Sequence, residues 1–383
     1  FGLGGRRQGA RRPCLSGKLT VGVIFGGRSG EHEISLMSAR SVLGALDPDR
    51  YRIVQIGITR QGSWLTGENV LEALEGNKLE GLDVAVILGQ PGLPGLYRWR
   101  KDQAPSVLSQ LDVVFPVLHG TFGEDGTLQG LLEMAEIAYV GAGVLASSVA
   151  MDKGLFKQVM VSKGIPVVDY VVLSTTQFDT RMEDSLKEAE SIGPYPLFTK
   201  PANMGSSVGV SKCANRSLLV EGLMEAARYD RRVLVEQGLQ AREIEVSVLG
   251  NEEPEASIVG EIVPGDEFYS YEAKYIHDTS ELLIPAPIDQ EMAEEVRRLA
   301  VESFKAVDGA GMARVDFLLD KPSGKLYLNE INTIPGFTRI SMYPKLWQAS
   351  GVSYPELMDR LIELALQRQE QKARLVRVYG GSA

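Results

Sequence analysis

Four polar residues near the C-terminal end carry the clearest chemical signal: Arg314, Asp316, Glu330 and Asn332. They lie in residues 313–336, ARVDFLLDKPSGKLYLNEINTIPG. Side chains in a strand alternate faces, so Arg314 and Asp316 point the same way. Glu330 and Asn332 share a face by the same spacing, provided the second strand stays extended. Paired as a hairpin, the two strands would gather one guanidinium, two carboxylates and one amide in an otherwise apolar setting. Hard cations such as Mg²⁺ take oxygen ligands in octahedral array, usually one or two carboxylates completed by phosphate oxygens and water. The set therefore suits a Mg²⁺-bound nucleotide better than a stand-alone metal cage. It would also suit a structural hairpin with a surface salt bridge, Arg314–Asp316 or Arg314–Glu330.

A second group lies upstream. Lys200 precedes the small-residue stretch Pro201-Ala202-Asn203-Met204-Gly205-Ser206-Ser207. Such a loop between two strands can fold over a polyphosphate, with backbone N–H groups and the lysine as donors. It is not a Walker loop, because G-x-x-x-x-G-K-[ST] is absent, and a Gly-Ser loop is often just a turn. His119, one of three histidines, sits just past the carboxyl end of an expected strand. Binding and catalytic residues concentrate at such positions, although a lone histidine is often only packed or solvated. Residues 141–146, GAGVLA, fit the loose dinucleotide fingerprint G-x-G-x-x-A. They follow only a minimal strand, and Asp169, about twenty residues on, stands at the start of a strand instead of its end.

The flanking hydrophobic patterns supply the elements that would position these groups. The hairpin strands are 313–319 and 325–329, joined by Asp320-Lys321-Pro322-Ser323-Gly324, a run of turn formers. Strands at 195–200 and 208–213 flank the small-residue loop. Residues 19–25, LTVGVIF, read as a buried strand ending in Gly26-Gly27-Arg28-Ser29-Gly30-Glu31-His32-Glu33, with a helix to about Leu46. Strand, Gly-rich turn and helix open an α/β unit whose turn faces a ligand. Further strands are expected at 51–59, 84–88, 112–118, 167–173, 232–237, 243–249 and 257–263. Helices are expected at 127–135, 151–163 (ended by Pro166), 175–192, 218–229, 290–307 and 354–367. Residues 264–282, PGDEFYSYEAKYIHDTSEL, are long, polar and aromatic, and read as a lid.

With 383 residues, two or three domains with ample core are expected. A net charge of −10 argues against non-specific nucleic-acid binding, which needs a basic surface. Cys14 and Cys213, the only cysteines, give neither a disulfide framework nor a zinc pattern, which points to a reducing cytoplasm. No apolar run reaches membrane-spanning length. Residues 1–17 are Gly- and Arg-rich without the apolar core of a secretory signal, and are expected to be a disordered extension. The tail, 369–383, is expected to fray.

The motifs GGRSGEHEISL, HGTFGEDGTLQG, MDK, KP-x-x-x-GSSVGV, AREIEV, EFYSYEAKY, ARVDF and NEINTIPGFT follow one another through residues 19–366. In this combination the sequence resembles the D-alanine–D-alanine ligases of the ATP-grasp superfamily. The resemblance implies an α/β fold, α+β in its ATP-grasp part, with three domains. These are an N-terminal Rossmann-like or flavodoxin-like parallel-sheet domain that binds substrate (18–141), a central ATP-grasp subdomain (142–235), and a C-terminal ATP-grasp subdomain with metal and catalytic residues (236–368).

It further implies that Lys153 and Lys200 contact ATP phosphates, with the loop at Ser206 and Ser207 folded over them. Glu236, Gln237 and Leu239 would line the adenine site, and Glu243 would hold the ribose. Asp316, Glu330 and Asn332 would ligate two Mg²⁺ ions, with Mn²⁺ as an alternative. Arg314 and the backbone N–H of Gly336 would stabilise a tetrahedral oxyanion. Glu31 and His119 would lie by the first D-alanine. Ser341, Met342 and Lys274 would lie by the second, with Lys274 also reaching the nucleotide. Tyr275 would tie the lid to Ser206 and Glu31. Two residues depart from the family's usual pattern: Gln237 stands where many relatives have lysine, and Met342 replaces a frequent leucine at conserved volume.

The implied reaction joins two D-alanines at the expense of ATP through a D-alanyl phosphate, for peptidoglycan, cell-wall building and cell shape. Its partners would be D-alanine and ATP, with no nucleic acid and no membrane, in a cytoplasmic homodimer. One alternative is a related ligase making D-Ala-D-Lac or D-Ala-D-Ser. A second is a nicotinamide dehydrogenase built on GAGVLA, which leaves the acid–amide cluster unexplained. A third is an inactive nucleotide-binding relative, which should have lost a metal ligand or a phosphate lysine; each is present.

Overall fold

A computed structural model describes residues 17–264 and 281–376. The expectations for 1–16, for 377–383 and for most of the proposed lid, Lys274 and Tyr275 included, lie outside the described residues.

The first sheet grows from the opening apolar run. Val21, Val23, Ile24 and Phe25 of β1 (Leu19–Gly26) are fully buried, as a central strand covered on both faces requires. Its companions are β2 (Tyr51–Ile58), β3 (Trp64–Thr66), β4 (Asp83–Ile87), β5 (Gly95–Trp99), β6 (Ser106–Gln110), β7 (Val113–Val117) and β8 (Ala138–Tyr139). The order is β6-β5-β4-β3-β2-β1-β7-β8. The expected parallel core is β2-β1-β7-β8. The other strands extend it in antiparallel fashion. Connection length explains the change. β1 reaches β2 through α1 (His32–Leu43), whereas β2 reaches β3 through a turn closed by the Thr59 N–H on the Ser63 carbonyl at 2.9 Å. So short a link permits only antiparallel pairing. Helices α2 (Val70–Glu75) and α3 (Thr127–Met134) belong to this unit.

Next come α4 (Val144–Met151) and α5 (Lys153–Ser162). The Asp152 carboxylate caps α5 by accepting the Leu155 N–H at 3.0 Å. Gly164, at φ +72°, ends it before Pro166 is reached. A four-stranded antiparallel sheet follows, in order β11-β10-β12-β9, from β9 (Tyr170–Ser174), β10 (Leu197–Pro201), β11 (Ser211–Cys213) and β12 (Arg232–Gln237). It carries α6 (Phe178–Glu190) and α7 (Arg216–Ala226).

The third sheet, β15-β14-β13-β16-β17, is antiparallel. Its strands are β13 (Ala241–Gly250), β14 (Glu255–Val263), β15 (Glu281–Leu283), β16 (Gly311–Asp320) and β17 (Leu326–Asn332). Helix α8 (Gln290–Ala306) buries Val296, Leu299, Ala300, Ser303 and Phe304, a stripe at helical spacing, against it. The chain ends in α9 (Met342–Ala349) and α10 (Tyr354–Ala373). These helices share one core with the first sheet, in which Phe337 meets Phe115 edge-on at 5.8 Å. The last helix outruns its expected end near Gln367. Arg368 donates to the Tyr139 carbonyl at 2.9 Å and to that of Gly141, and Lys372 pairs with Glu133. The Arg368 guanidinium also lies 4.3 Å from the centre of the Tyr139 ring.

That docking also disposes of the dinucleotide fingerprint. Gly141 does precede a helix, but its backbone is packed by the Arg368 guanidinium and by Gly311, where even a Cβ would come within 3.0 Å of the Gly141 nitrogen. The first glycine of the fingerprint is taken up by packing within the protein.

Candidate active site

The β16–β17 hairpin is set by its turn. Asp320 N–H donates to Lys325 O at 2.9 Å, and Gly324, at φ +68°, returns its N–H to Asp320 O at 2.8 Å. The register places Arg314 opposite Asn332 and Asp316 opposite Glu330, with an irregularity just after Asp316. All four side chains therefore reach one face, as the alternation requires. Arg314 grips Asp316 through two hydrogen bonds of 2.7 Å each. Asn332 Nδ2 donates to Asp316 at 2.8 Å and to Glu330 at 3.4 Å. The Arg314–Asp316 salt bridge exists, then, but it is part-buried in the cavity wall and not on the outer surface.

Sequence reading missed a third carboxylate. Glu245 stands opposite Asp316 on β13 and lies 3.0 Å from Arg314 Nε. Burial works against the charge on Arg314, but Asp316 and Glu245 together hold its pKa well above the ordinary value. The signal was present in AREIEV, where Glu243 and Glu245 alternate onto one face.

Facing this hairpin is a cluster of lysines. Lys153 opens α5 and donates from Nζ to Met204 O at 2.6 Å. Burial pulls its pKa down, with the Glu330 carboxylate opposing the fall. Lys200, on β10, pairs with Glu236 of β12. Phe198 is the cross-strand partner of Glu236, so Lys200, two residues on, is its diagonal neighbour on the same face. A second lysine, Lys157, lies 2.5 Å from the other Glu236 oxygen. Burial works against ionisation of Glu236, yet the two lysines hold it at about 2. Lys157 was not foreseen; its spacing of four from Lys153 along a helix is the signal that could have found it.

The loop after β10 carries Ser206 and Ser207 in the left-handed region, at φ 49° and 58°. This turns the Ser206 hydroxyl onto Glu31, to which it donates. Glu31 fits closely between Gly120 and Gly205, where a Cβ would stand 2.5 Å and 2.8 Å from its Oε2. Beside it Glu124, also unforeseen, accepts N–H groups from Gly120 at 2.7 Å and Ile334 at 3.1 Å. Burial and the Glu31 charge push the Glu124 carboxyl up to about 8.

These groups converge on a cavity of about 740 Å³. Of the expected residues it is lined by Glu31, Lys153, Lys200, Ser206, Ser207 and Glu236, by Gln237, Leu239, Glu243 and Arg314, and by Asp316, Glu330, Asn332, Gly336, Ser341 and Met342. Glu124 and Glu245 line it too. Pro264 and Leu282, which flank the undescribed stretch, stand at its wall.

His119 does not line it. Both ring nitrogens are committed to protein: Nδ1 donates to Ile334 O at 2.9 Å, and Nε2 accepts from the Ser38 hydroxyl at 3.1 Å. The carbonyl can only accept, which assigns this tautomer. Burial lowers the pKa of the ring. The Ser38 oxygen also receives the Phe337 N–H at 3.3 Å, so His119 braces the segment around Gly336 from behind.

No group of three His, Cys, Asp or Glu forms a metal cage among the described residues. Two carboxylates and an amide facing Lys153 and Lys200 leave coordination positions for phosphate oxygens instead, which is the donor set expected for a metal–nucleotide. Two antiparallel sheets with helices, closing on such a cavity beside a partly parallel sheet, define an ATP-grasp enzyme.

Comparison with known proteins narrows the class. Residues 20–142 match the family model for the D-ala D-ala ligase N-terminus, and residues 159–363 match that for its C-terminus. The chain is 50% identical over 357 residues to a D-alanine–D-alanine ligase of Heliobacterium modesticaldum, covering 93% of this chain and 97% of that protein. It is also 50% identical over 359 residues to one from a Thermoanaerobacter species, covering 93% and 99%. The solved D-alanine–D-alanine ligase of Coxiella burnetii superposes with a TM-score of 0.81 at 37% identity, covering 94% of this chain and 98% of that one. A D-Ala:D-Ser ligase from Enterococcus faecalis superposes equally, at 0.81 and 35% identity, covering 91% and 100%. The chain belongs to the D-alanine–D-alanine ligase family and is an enzyme of that family. Among the described residues no helix is long and apolar enough to cross a membrane.

Proposed function

We propose that this enzyme joins two D-alanines to D-alanyl-D-alanine, converting ATP to ADP and phosphate. The observation that carries the reading is the cavity itself: an acid–amide hairpin on one wall, Lys153 and Lys200 on the other, and Arg314 fixed between two carboxylates. The 50% identical relatives that carry this activity in their names favour it over the D-Ala-D-Lac or D-Ala-D-Ser alternative.

A carboxylate is a poor acyl donor. Attack of its oxygen on the γ-phosphorus, with loss of ADP, makes an acyl phosphate with a good leaving group. The neutral amine of the second D-alanine then attacks the carbonyl carbon, phosphate departs, and the amine proton passes to solvent. Lys153 and Lys200 bind and orient the phosphates under the Ser206–Ser207 loop. Asp316, Glu330 and Asn332 would hold two Mg²⁺ ions, which neutralise charge on the transferring group when bound. Arg314 and the Gly336 N–H face the developing oxyanion, and Glu31 receives the first amino acid. His119 serves by bracing the Gly336 segment and does not touch substrate. Gln237 and Leu239 flank adenine, Glu243 the ribose, and Ser341 and Met342 the second D-alanine. The same reading places the protein in the cytoplasm as a homodimer supplying peptidoglycan synthesis.

The test is product analysis by mass after incubation with Mg²⁺, ATP and D-alanine. Stoichiometric dipeptide, ADP and phosphate are expected. ADP without dipeptide, or a depsipeptide formed preferentially when D-lactate is added, would refute the assignment.

A further inference from the structure

One carboxylate between two lysines is an unequal arrangement. Glu236 sits on the central strand β12, with Phe198 of β10 on one side and Tyr170 of β9 on the other. Lys200 approaches it from the cavity, and its side chain keeps 19% of its surface exposed there. Lys157 approaches from α5, is 1% exposed, and does not line the cavity. Its Nζ lies 2.5 Å from Glu236 Oε1 and 5.7 Å from the centre of the Tyr170 ring. It stands behind the cavity wall, and among the described residues the carboxylate it pairs with is Glu236.

We propose that Lys157 is a positioning residue for the nucleotide: it holds Glu236 from behind the wall and so lets Lys200 leave that carboxylate for a phosphate. Without Lys157, Glu236 would be a buried carboxylate with a single cation. Releasing Lys200 would then strand an unpaired charge in a poorly solvated site, which is strongly unfavourable. With Lys157 in place, one oxygen of Glu236 stays neutralised whichever way Lys200 turns. The inference rests on the proposed use of ATP, but not on which amino acid is joined.

The test is calorimetric titration of Mg²⁺-ATP, without amino acid, into the parent, Lys157→Met, Lys157→Arg, Lys200→Met and the double variant Lys157→Met/Lys200→Met. Circular dichroism checks each fold. Lys157→Met should weaken ATP binding by about tenfold or more, the loss of one charge-assisted contact to phosphate. Lys157→Arg should stay within about threefold of the parent. In the Lys200→Met background, Lys157→Met should add almost nothing, because it acts through Lys200. Should Lys157→Met not fold, Lys157→Gln, which keeps an N–H donor and loses the charge, replaces it in the cycle. Losses that simply multiply, or unchanged affinity in a folded variant, overturn the proposal. A parent that binds ATP yet makes no dipeptide refutes the ligase reading and leaves this cycle intact.

Discussion

Arg314→Lys separates a positioned guanidinium from a mere positive charge. Arg314 directs two parallel hydrogen bonds of 2.7 Å at Asp316, and its Nε also lies 3.0 Å from Glu245. An ammonium keeps the charge but not the planar fork, and cannot reproduce the two parallel hydrogen bonds together with the contact to Glu245. Losing one charge-assisted hydrogen bond to a buried group costs roughly 1.5–3 kcal/mol. If the guanidinium is aimed at charge that develops only in the transition state, that loss appears in kcat as a fall of about ten- to 150-fold. The lysines that would hold phosphate stand on other strands and helices, so the KM for ATP should stay within about threefold. The assay is initial-rate phosphate release at saturating ATP and Mg²⁺ with D-alanine varied, alongside thermal unfolding. A folded variant with kcat within about twofold of the parent would refute the role. A fall confined to thermal stability would make Arg314 a structural member of the sheet.

Other outcomes follow from the same geometry. Glu330→Gln keeps shape and removes a metal-binding charge; turnover should fall by at least about a hundredfold with an unchanged circular dichroism spectrum, and near-parental kcat would remove Glu330 from the metal site. Removing divalent metal with EDTA should stop phosphate release and Mn²⁺ should restore it, whereas full activity in EDTA contradicts the acid–amide reading. The Glu124 carboxyl ionises near 8 in the fold, against an ordinary 4.5. The unfolded chain therefore loses that proton first, and stability should fall as pH rises between those values. Glu124→Gln should flatten this fall in denaturant titrations across the range, and an unchanged slope would show that the group is not held protonated. Arg368→Met should lower stability by about 2–4 kcal/mol, because it leaves the buried Tyr139 and Gly141 carbonyls without their donor; a loss below about 1 kcal/mol would show that water replaces it.

The hairpin was legible because strand alternation alone decides which side chains share a face; Arg314, Asp316, Glu330 and Asn332 needed no knowledge of the rest of the fold. The opening βα unit was legible for a related reason, a fully apolar strand before a Gly-rich turn. Short strands such as β3 and β6 were not, since three to five residues carry little periodicity. The partners of the site residues were hidden for a different reason. Lys157, Glu245 and Glu124 come from a helix, a strand and a loop far apart in sequence, and what makes each matter is burial beside a distant charge. His119 was singled out from its place at a strand end, but its two hydrogen bonds, to Ser38 and Ile334, were not predictable from local spacing.

The most direct measurement is phosphate release from ATP with D-alanine, L-alanine, D-serine and D-lactate offered separately in the presence of Mg²⁺. Release with D-alanine well above the other three, and none without an amino acid, is the predicted result. Equal rates with L-alanine and D-alanine, or full release with no amino acid present, would contradict it.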